Sequence, residues 1–211
     1  MPSLDLSGFS TTDWGKSIYG DISEERPRQA PEPLGLPMKM YCFVDASHAG
    51  DLATRRSHTG FIIYLNNPPI QWYSRRQNTV ETSTFGAELV AMRTATEAIR
   101  TFGAELVAMR TATEAIRALR LKLMLLGIPI EEPTYLMGDN KSVIDSTSNV
   151  EATLNKKHQA ICWHAVREAA ASGYIRIGWE PTQTNISDLF TKVLDTPKRR
   201  GLLRCIFPKG G

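Results

Sequence analysis

Apolar residues are spread unevenly along the chain, and their spacing changes character several times. Up to residue 38 there is little periodic apolar pattern, and Pro27, Pro31, Pro33 and Pro37 fall within eleven residues. Proline removes a backbone donor and fixes φ, so this density disfavours both helix and strand pairing. Residues 1–38 therefore read as a leader or linker. Order begins at Lys39. Met40-Tyr41-Cys42-Phe43-Val44 is a continuous apolar run closed by Asp45, the pattern of a buried strand that ends before the acid. After a polar loop, residues 59–65 predict a second strand, Asn66-Asn67-Pro68-Pro69 a turn, and residues 70–74 a third strand. Three strands in succession, the last two tightly joined, predict an antiparallel meander.

A helical pattern follows from about residue 83 to 126, stopped by Gly127 and Pro129. Residues 134–138 predict a fourth strand and 140–146 a short helix. A helix over 155–171 has Gly173 as its stop, and a fifth strand over 174–179 precedes a last helix over 186–194. A meander followed by helix–strand units implies an α/β fold, a five-stranded mixed sheet flanked by helices. Trp72, Trp163 and Trp179 fall on these elements and are expected in the core, not as base-stacking platforms.

The long helix contains a tandem repeat. Residues 84–100 read TFGAELVAMRTATEAIR, and residues 101–117 repeat them without a change. One 17-residue duplication is too short for a solenoid array. At about 100° per residue the two copies point different ways, so Glu88 and Glu105 lie on different faces, roughly 25 Å apart along a continuous helix. Only one of them can occupy a given site. The second copy runs directly into Ala118-Leu119-Arg120-Leu121 and keeps the helix end in place for the fourth strand. Docking the first copy in one unbroken helix would overshoot by roughly 25 Å, which the six-residue connection 128–133 could barely recover. Chain reach thus favours Glu105, with the extra residues expected in an exposed connection before it. The first copy, however, keeps its own leader, Val80-Glu81-Thr82-Ser83.

A length of 211 residues suits one domain with a tail or linker, large enough to bury a core without disulfides. Its three cysteines, Cys42, Cys162 and Cys205, form no CxxC or Cys/His ligand spacing. That usage fits a reducing compartment and does not indicate a zinc site. No apolar run approaches the roughly 20 residues needed to cross a bilayer, and no secretory signal opens the chain, so a soluble protein is expected. The net charge of +3 is too small to diagnose a partner, but its distribution is uneven. From residue 192 onward there are six cations (Lys192, Lys198, Arg199, Arg200, Arg204, Lys209) against the single acid Asp195. Further basic groups are Lys156, Lys157 and Arg167, and Arg55, Arg56, Arg75 and Arg76. Such patches suit a polyanion, although solvated faces carry the same composition.

The acidic residues carry more chemistry. Asp45 and Asp139 stand at the ends of predicted strands, where open α/β sheets bind ligands. Glu88 or Glu105 lies on the long helix, and Asp188 opens the last one, where an acid can also simply cap or favour the helix dipole. His48, His58, His158 and His164 show no ligand spacing; His158 and His164 are six apart, which suits packing or capping.

This ordered set of acids resembles the Asp-Glu-Asp-Asp set of the ribonuclease H fold. More specifically, the chain resembles the ribonuclease H region of a copia-type LTR retrotransposon polyprotein. The resemblance is carried by Val44-Asp45-Ala46-Ser47-His48-Ala49-Gly50-Asp51, Arg55-Arg56-Ser57-His58-Thr59-Gly60 and Trp72-Tyr73-Ser74-Arg75-Arg76-Gln77. It continues through the Gly-Ala-Glu-Leu-Val-Ala-Met segment, Gly138-Asp139-Asn140-Lys141-Ser142, Lys156-Lys157-His158, Trp163-His164-Ala165-Val166-Arg167-Glu168 and Ser187-Asp188-Leu189-Phe190-Thr191-Lys192. It implies a leader from the upstream polyprotein over 1–38, a ribonuclease H-like domain over 39–195 with the duplication at 84–117, and a basic tail over 196–211. The implied activity is hydrolysis of the RNA strand of RNA–DNA hybrids during reverse transcription. The implied cofactor is two Mg²⁺ ions, for which Mn²⁺ could substitute, since hard cations want carboxylate oxygen. By the same resemblance Asp45 bridges the ions, Asp139 and the helix glutamate serve one, and Asp188 the other. Arg75, Arg76, Lys156, Lys157 and the C-terminal cations are candidate backbone contacts. The implied partners are the hybrid and the reverse transcriptase domain of the same polyprotein, in the cytoplasm (in a virus-like particle) or nucleus. Retroviral relatives carry a histidine before the last Asp; here Trp179-Glu180-Pro181 stands in that neighbourhood, and no such role is assigned. The duplicated helix favours an alternative, a catalytically impaired nucleic-acid-binding remnant of the same fold.

Overall fold

The computed structural model describes residues 18–47, 56–78, 89–130, 132–149, 151–154 and 159–207, with the backbone alone over 89–100. Its strands are β1 (Met40–Ser47), β2 (His58–Leu65), β3 (Pro69–Arg76), β4 (Thr134–Gly138) and β5 (Ile175–Trp179). The helices are α1 (Leu89–Leu125), α2 (Lys141–Ser148), α3 (Ala160–Ala171), α4 (Asp188–Thr191) and α5 (Thr196–Ile206). The strands form one mixed sheet in the order β3-β2-β1-β4-β5. β1–β2 and β2–β3 are antiparallel, while β1–β4 and β4–β5 are parallel, which is the expected meander followed by crossover units.

Apolar runs become central strands because a sheet covered on both faces buries every side chain. All five residues of β4 are buried, as are all of β1 but Tyr41. One face carries Cys42, Val44, Phe61, Ile63 and Leu136 against α1, α2 and α3. The other carries Phe43, Ile62, Tyr64, Tyr135 and Met137 against Ile186 and Leu202, with Leu189, Phe190 and Ile206 packed alongside.

The predicted helix stops hold. Gly127 takes φ +73°, its N–H donates to the Met124 carbonyl, and Ile128 N–H donates to Leu123. Gly173 takes φ +76° and ends α3 in the same way, with Tyr174 N–H on the Ala169 carbonyl. These paired bonds close the last helical turn around a left-handed residue, the conformation glycine adopts without strain.

Several expectations need correction. β1 runs through Asp45 to Ser47, so the acid lies inside the strand and not after it; antiparallel pairing with β2 extends as far as Ser47 opposite His58. The described part of the first copy of the repeat is helix and not a loop connection: from Leu89 it continues α1 as one 37-residue helix. Each copy holds four Ala, two Glu and two Arg and no proline, and its single glycine does not interrupt the helix at Gly103. Glu88 and the helix start expected near residue 83 lie outside the described residues. The last helix is shorter than expected, Asp188–Thr191, and the basic tail contains α5, capped by Asp195, whose side chain accepts from Lys198 N–H at 2.9 Å. Trp163 is buried, but Trp72 on the edge strand is 62% exposed and Trp179 at the end of β5 is 53% exposed. Edge and end positions of a sheet have no neighbour to cover them.

The described part of the proline-rich leader packs on the domain. Glu24 N–H donates to the Ser172 carbonyl, Leu34 N–H to Gly127 and Met38 N–H to Pro129. The Glu24 carboxylate accepts from the buried Arg120 guanidinium at 2.5–3.0 Å, and Arg120 also donates to the Glu132 carbonyl and Thr134 Oγ1. Removing one partner of a buried pair leaves the other charge without compensation. Glu24→Ala is therefore expected to destabilise the chain by about 3–5 kcal/mol in urea unfolding, with Glu24→Gln milder because an amide oxygen still accepts.

Candidate active site

The acidic residues converge because of strand register. In the parallel β1–β4 pair Val44 lies opposite Gly138, so the next residues, Asp45 and Asp139, emerge side by side. α1 packs across the same sheet face through Leu106, Ala108, Met109, Ala112 and Ile116, all buried, and this orientation turns Glu105 toward β1. Glu105 Oε1 accepts from Ala46 N–H at 3.1 Å. Carboxylate oxygens of Asp45, Glu105 and Asp139 lie within 4.8 Å of one another. The second copy of the repeat supplies this glutamate.

Asp188, the first residue of α4, is fully buried beside this group. Its two oxygens accept from lysines: Oδ1 from Lys192 Nζ at 2.6 Å and Oδ2 from Lys198 Nζ at 2.5 Å. The Lys192 ammonium also lies 3.0 Å from Asp45 Oδ1 and 3.8 Å from Asp139 Oδ2, so one cation touches three of the four acids. Asp45 Oδ2 accepts from Thr191 Oγ1. Lys192 and Lys198, cations that the basic composition offers to a polyanion, are engaged with buried carboxylates instead.

Four positioning residues escaped the sequence reading. Gly60 lies opposite Asp45 in the β1–β2 register, and a Cβ there would meet Thr191 Cγ2 at 2.6 Å and Phe190 Cβ at 2.8 Å. Only glycine lets α4 approach the sheet so closely. Asn185, fully buried, donates from Nδ2 to the Val44 carbonyl at 3.2 Å and accepts at Oδ1 from Ser187 Oγ at 2.5 Å, fixing the turn into Asp188. Gln77 donates from Nε2 to Thr59 Oγ1 at 2.9 Å and to the Ala104 carbonyl at 3.0 Å, tying β2 to the residue before Glu105. Trp179 Nε1 donates to the Asp139 carbonyl at 3.1 Å. A buried polar side chain needs hydrogen-bond partners inside the protein, so the roles of Asn185 and Gln77 follow from their burial and not from sequence.

Burial pushes the Asp45 carboxyl up to about 6; Lys192 and Thr191 work against the rise, and Asp139 and Asp188 add to it. Burial also holds Glu105 well above the usual carboxylate range, reinforced by Asp45 and Asp139 and opposed by Ala46 N–H and Lys192. For Lys192 burial disfavours the charge, but Asp45 and Asp188 overcome it and keep the ammonium protonated. Carboxylates forced together in a dry pocket demand positive charge, and hard oxygen donors in such a set fit a divalent cation such as Mg²⁺.

Of the proposed nucleic-acid contacts, Arg75 and Arg76 end β3 and line a groove of about 320 Å³ with Gln77, Arg110 and Glu114. Arg110 is paired with Glu114 at 2.8 Å. Lys156 and Lys157 lie outside the described residues. His164 Nδ1 is hydrogen-bonded to Tyr19 OH at 2.9 Å, a packing role. Cys42, Cys162 and Cys205 are free thiols. Among the described residues no helix is long and apolar enough to cross a membrane.

Among solved structures, the chain is similar to the RNase H1 of the halophilic archaeon Halobacterium salinarum NRC-1. The TM-score is 0.50 with 13% identity, covering 72% of this chain and 94% of that one. The fold is that of ribonuclease H. In sequence, the chain is 27% identical over 160 residues to the Retrovirus-related Pol polyprotein from transposon RE2 of Arabidopsis thaliana, 76% of this chain. It is 29% identical over 157 residues, 74% of the chain, to that from transposon TNT 1-94 of Nicotiana tabacum. These similarities bear out the resemblance read from the motifs. The matched region spans about 10% of the length of each of these relatives, and no protein-family model matches. The ribonuclease H fold explains why Asp45, Asp139 and α4 meet at one edge of the central strands.

Two outcomes test this geometry. Gly60→Ala forces Phe190 and Thr191 off the sheet, so a loss of about 1–3 kcal/mol and weaker Mn²⁺ binding by calorimetry are expected. In chelator, folding makes Asp45 harder to ionise than in the unfolded chain. Its contribution to stability is complete below its unfolded value of 3.8 and is lost as pH rises through about 6. Asp45→Asn, which cannot ionise, should gain on the native protein by up to about 3 kcal/mol between pH 4 and 7 in urea unfolding. A difference that stays flat with pH would contradict burial as the controlling effect.

Proposed function

We propose that the chain is a divalent-metal-dependent ribonuclease that hydrolyses the RNA strand of RNA–DNA hybrids, as part of a retrotransposon Pol polyprotein. The observation that carries this reading is the convergence of Asp45, Glu105 and Asp139 to within 4.8 Å, with Asp188 joined to them through Lys192. A phosphodiester is anionic and resists attack by water, so a site that cuts it must neutralise charge and orient the nucleophile. Two Mg²⁺ ions, or Mn²⁺ in their place, would supply Lewis acidity to the attacking water and the leaving 3′ oxygen. Asp45, Glu105, Asp139 and Asp188 are the residues that would hold the metal, with Asp45 at the centre of the set. Asn185, Gln77 and Gly60 fix the elements that present these carboxylates, so little reorganisation is needed when substrate arrives.

Arg75 and Arg76 are candidate contacts to substrate phosphates, with Lys156 and Lys157 proposed on the sequence pattern alone. Discrimination of RNA from DNA would come from contacts to 2′-hydroxyls across the wide minor groove of the hybrid. A reverse transcriptase domain in the same polyprotein is the proposed partner, which fits the small fraction of the transposon relatives that this chain spans.

A magnesium-dependent cleavage assay on a labelled RNA–DNA hybrid tests the reading. The native chain should cut the RNA strand to 5′-phosphate and 3′-hydroxyl ends. Asp139→Asn and Glu105→Gln should each lower the rate by at least about 100-fold while hybrid binding persists. Binding by the native chain without any metal-dependent cleavage would favour the alternative, a nucleic-acid-binding remnant whose duplicated helix no longer supports chemistry.

A further inference from the structure

We propose that Lys192 is a built-in counter-cation of the acidic site. In the metal-free protein its ammonium holds Asp45, Asp139 and Asp188 together, and a divalent cation binds there by displacing it. The inference rests on reading the acidic cluster as a metal site. Lys192 Nζ lies 3.0 Å from Asp45 Oδ1, 2.6 Å from Asp188 Oδ1 and 3.8 Å from Asp139 Oδ2. A divalent cation held by these acids would take carboxylate oxygens that this ammonium already occupies. The two cations therefore exclude each other.

Three features make the exchange feasible. Lys192 follows α4 immediately, one turn after Asp188, so its position is set by the same element that presents the acid. Its side chain is 33% exposed, which gives the displaced ammonium a direct path to water on a flexible four-carbon stem. Asp188 is not left bare when Lys192 departs, because Lys198 Nζ from α5 holds its other oxygen at 2.5 Å. Lys192 thus keeps the carboxylates assembled in the absence of metal and sets how tightly metal binds.

The test compares the full native chain with Lys192→Met, which keeps the stem and removes the charge, and with Lys192→Arg, which keeps the charge. Mn²⁺ affinity is measured by calorimetry, and melting is followed in EDTA and in saturating Mn²⁺. Lys192→Met is expected to bind Mn²⁺ about tenfold more tightly than the native chain. In EDTA it should melt roughly 5 °C lower, a deficit that Mn²⁺ closes. Lys192→Arg should bind no more tightly than the native chain. Equal or weaker Mn²⁺ binding by the Met variant, with the native chain binding normally, overturns the proposal alone. Absence of Mn²⁺ binding in every protein overturns the metal-site reading and the proposal with it. Should Lys192→Met not fold, Lys192→Gln carries the same comparison.

Discussion

The structure depends on holding several acidic groups in one dry place. Asp45, Glu105 and Asp188 are essentially inaccessible to solvent, and Asp139 is close to all of them. Like charges in a low-dielectric pocket repel strongly, and each also loses its hydration. The fold meets that demand with local donors: Ala46 N–H on Glu105, Thr191 on Asp45, and two lysines on Asp188. Removing the donors would favour protonation or separation of the acids. Acids perturbed in this way by burial and by one another cluster at functional sites, and the proposed metal site rests on that property.

Strand topology supplies the convergence. A parallel neighbour places equivalent strand ends side by side, so Asp45 and Asp139 meet once Val44 pairs with Gly138. The antiparallel neighbour β2 then offers Gly60 opposite Asp45, where the missing Cβ admits α4 and with it Asp188 and Thr191. The duplicated helix fits this frame because its second copy is the one continuous with the C-terminal turn at Gly127, which is anchored both by its own capping bonds and by Leu34 N–H. With the helix end fixed, additional residues extend the other end. The second copy packs Leu106, Ala108, Met109, Ala112 and Ile116 on the sheet, and the first copy, from Leu89, extends the helix at its other end.

Element order, the sheet, the glycine stops and the acids on β1, on α1, just after β4 and on α4 were legible because apolar runs, helix breakers and strand-end acids are local signals. Asp45 inside its strand was missed because pairing with β2, a nonlocal property, decides where β1 ends. Trp72 and Trp179 were misread for a related reason: an aromatic on a strand signals burial only when a neighbouring element covers it. Asn185 and Gln77 are ordinary polar residues in a loop and at a strand end by sequence, and their importance lies in what they touch. The repeat was legible to the residue, yet local propensity made its first copy helix where chain-reach reasoning expected a connection.

At the two ends, composition does not show what the residues touch. Proline density marked residues 1–38 as a linker, and prolines do remove ladder donors. They do not prevent the remaining amides from bonding to helix ends, as Glu24, Leu34 and Met38 do, or a carboxylate from neutralising a buried arginine. Basic density marked the C-terminal stretch as a polyanion surface. Yet Lys192 and Lys198 spend their charge on Asp45, Asp139 and Asp188, so they lower the negative potential of the pocket instead of extending a positive patch. On the proposed function, a substrate phosphate would come next to carboxylates, and internal neutralisation would reduce the repulsion met at close range, where screening by salt is least effective.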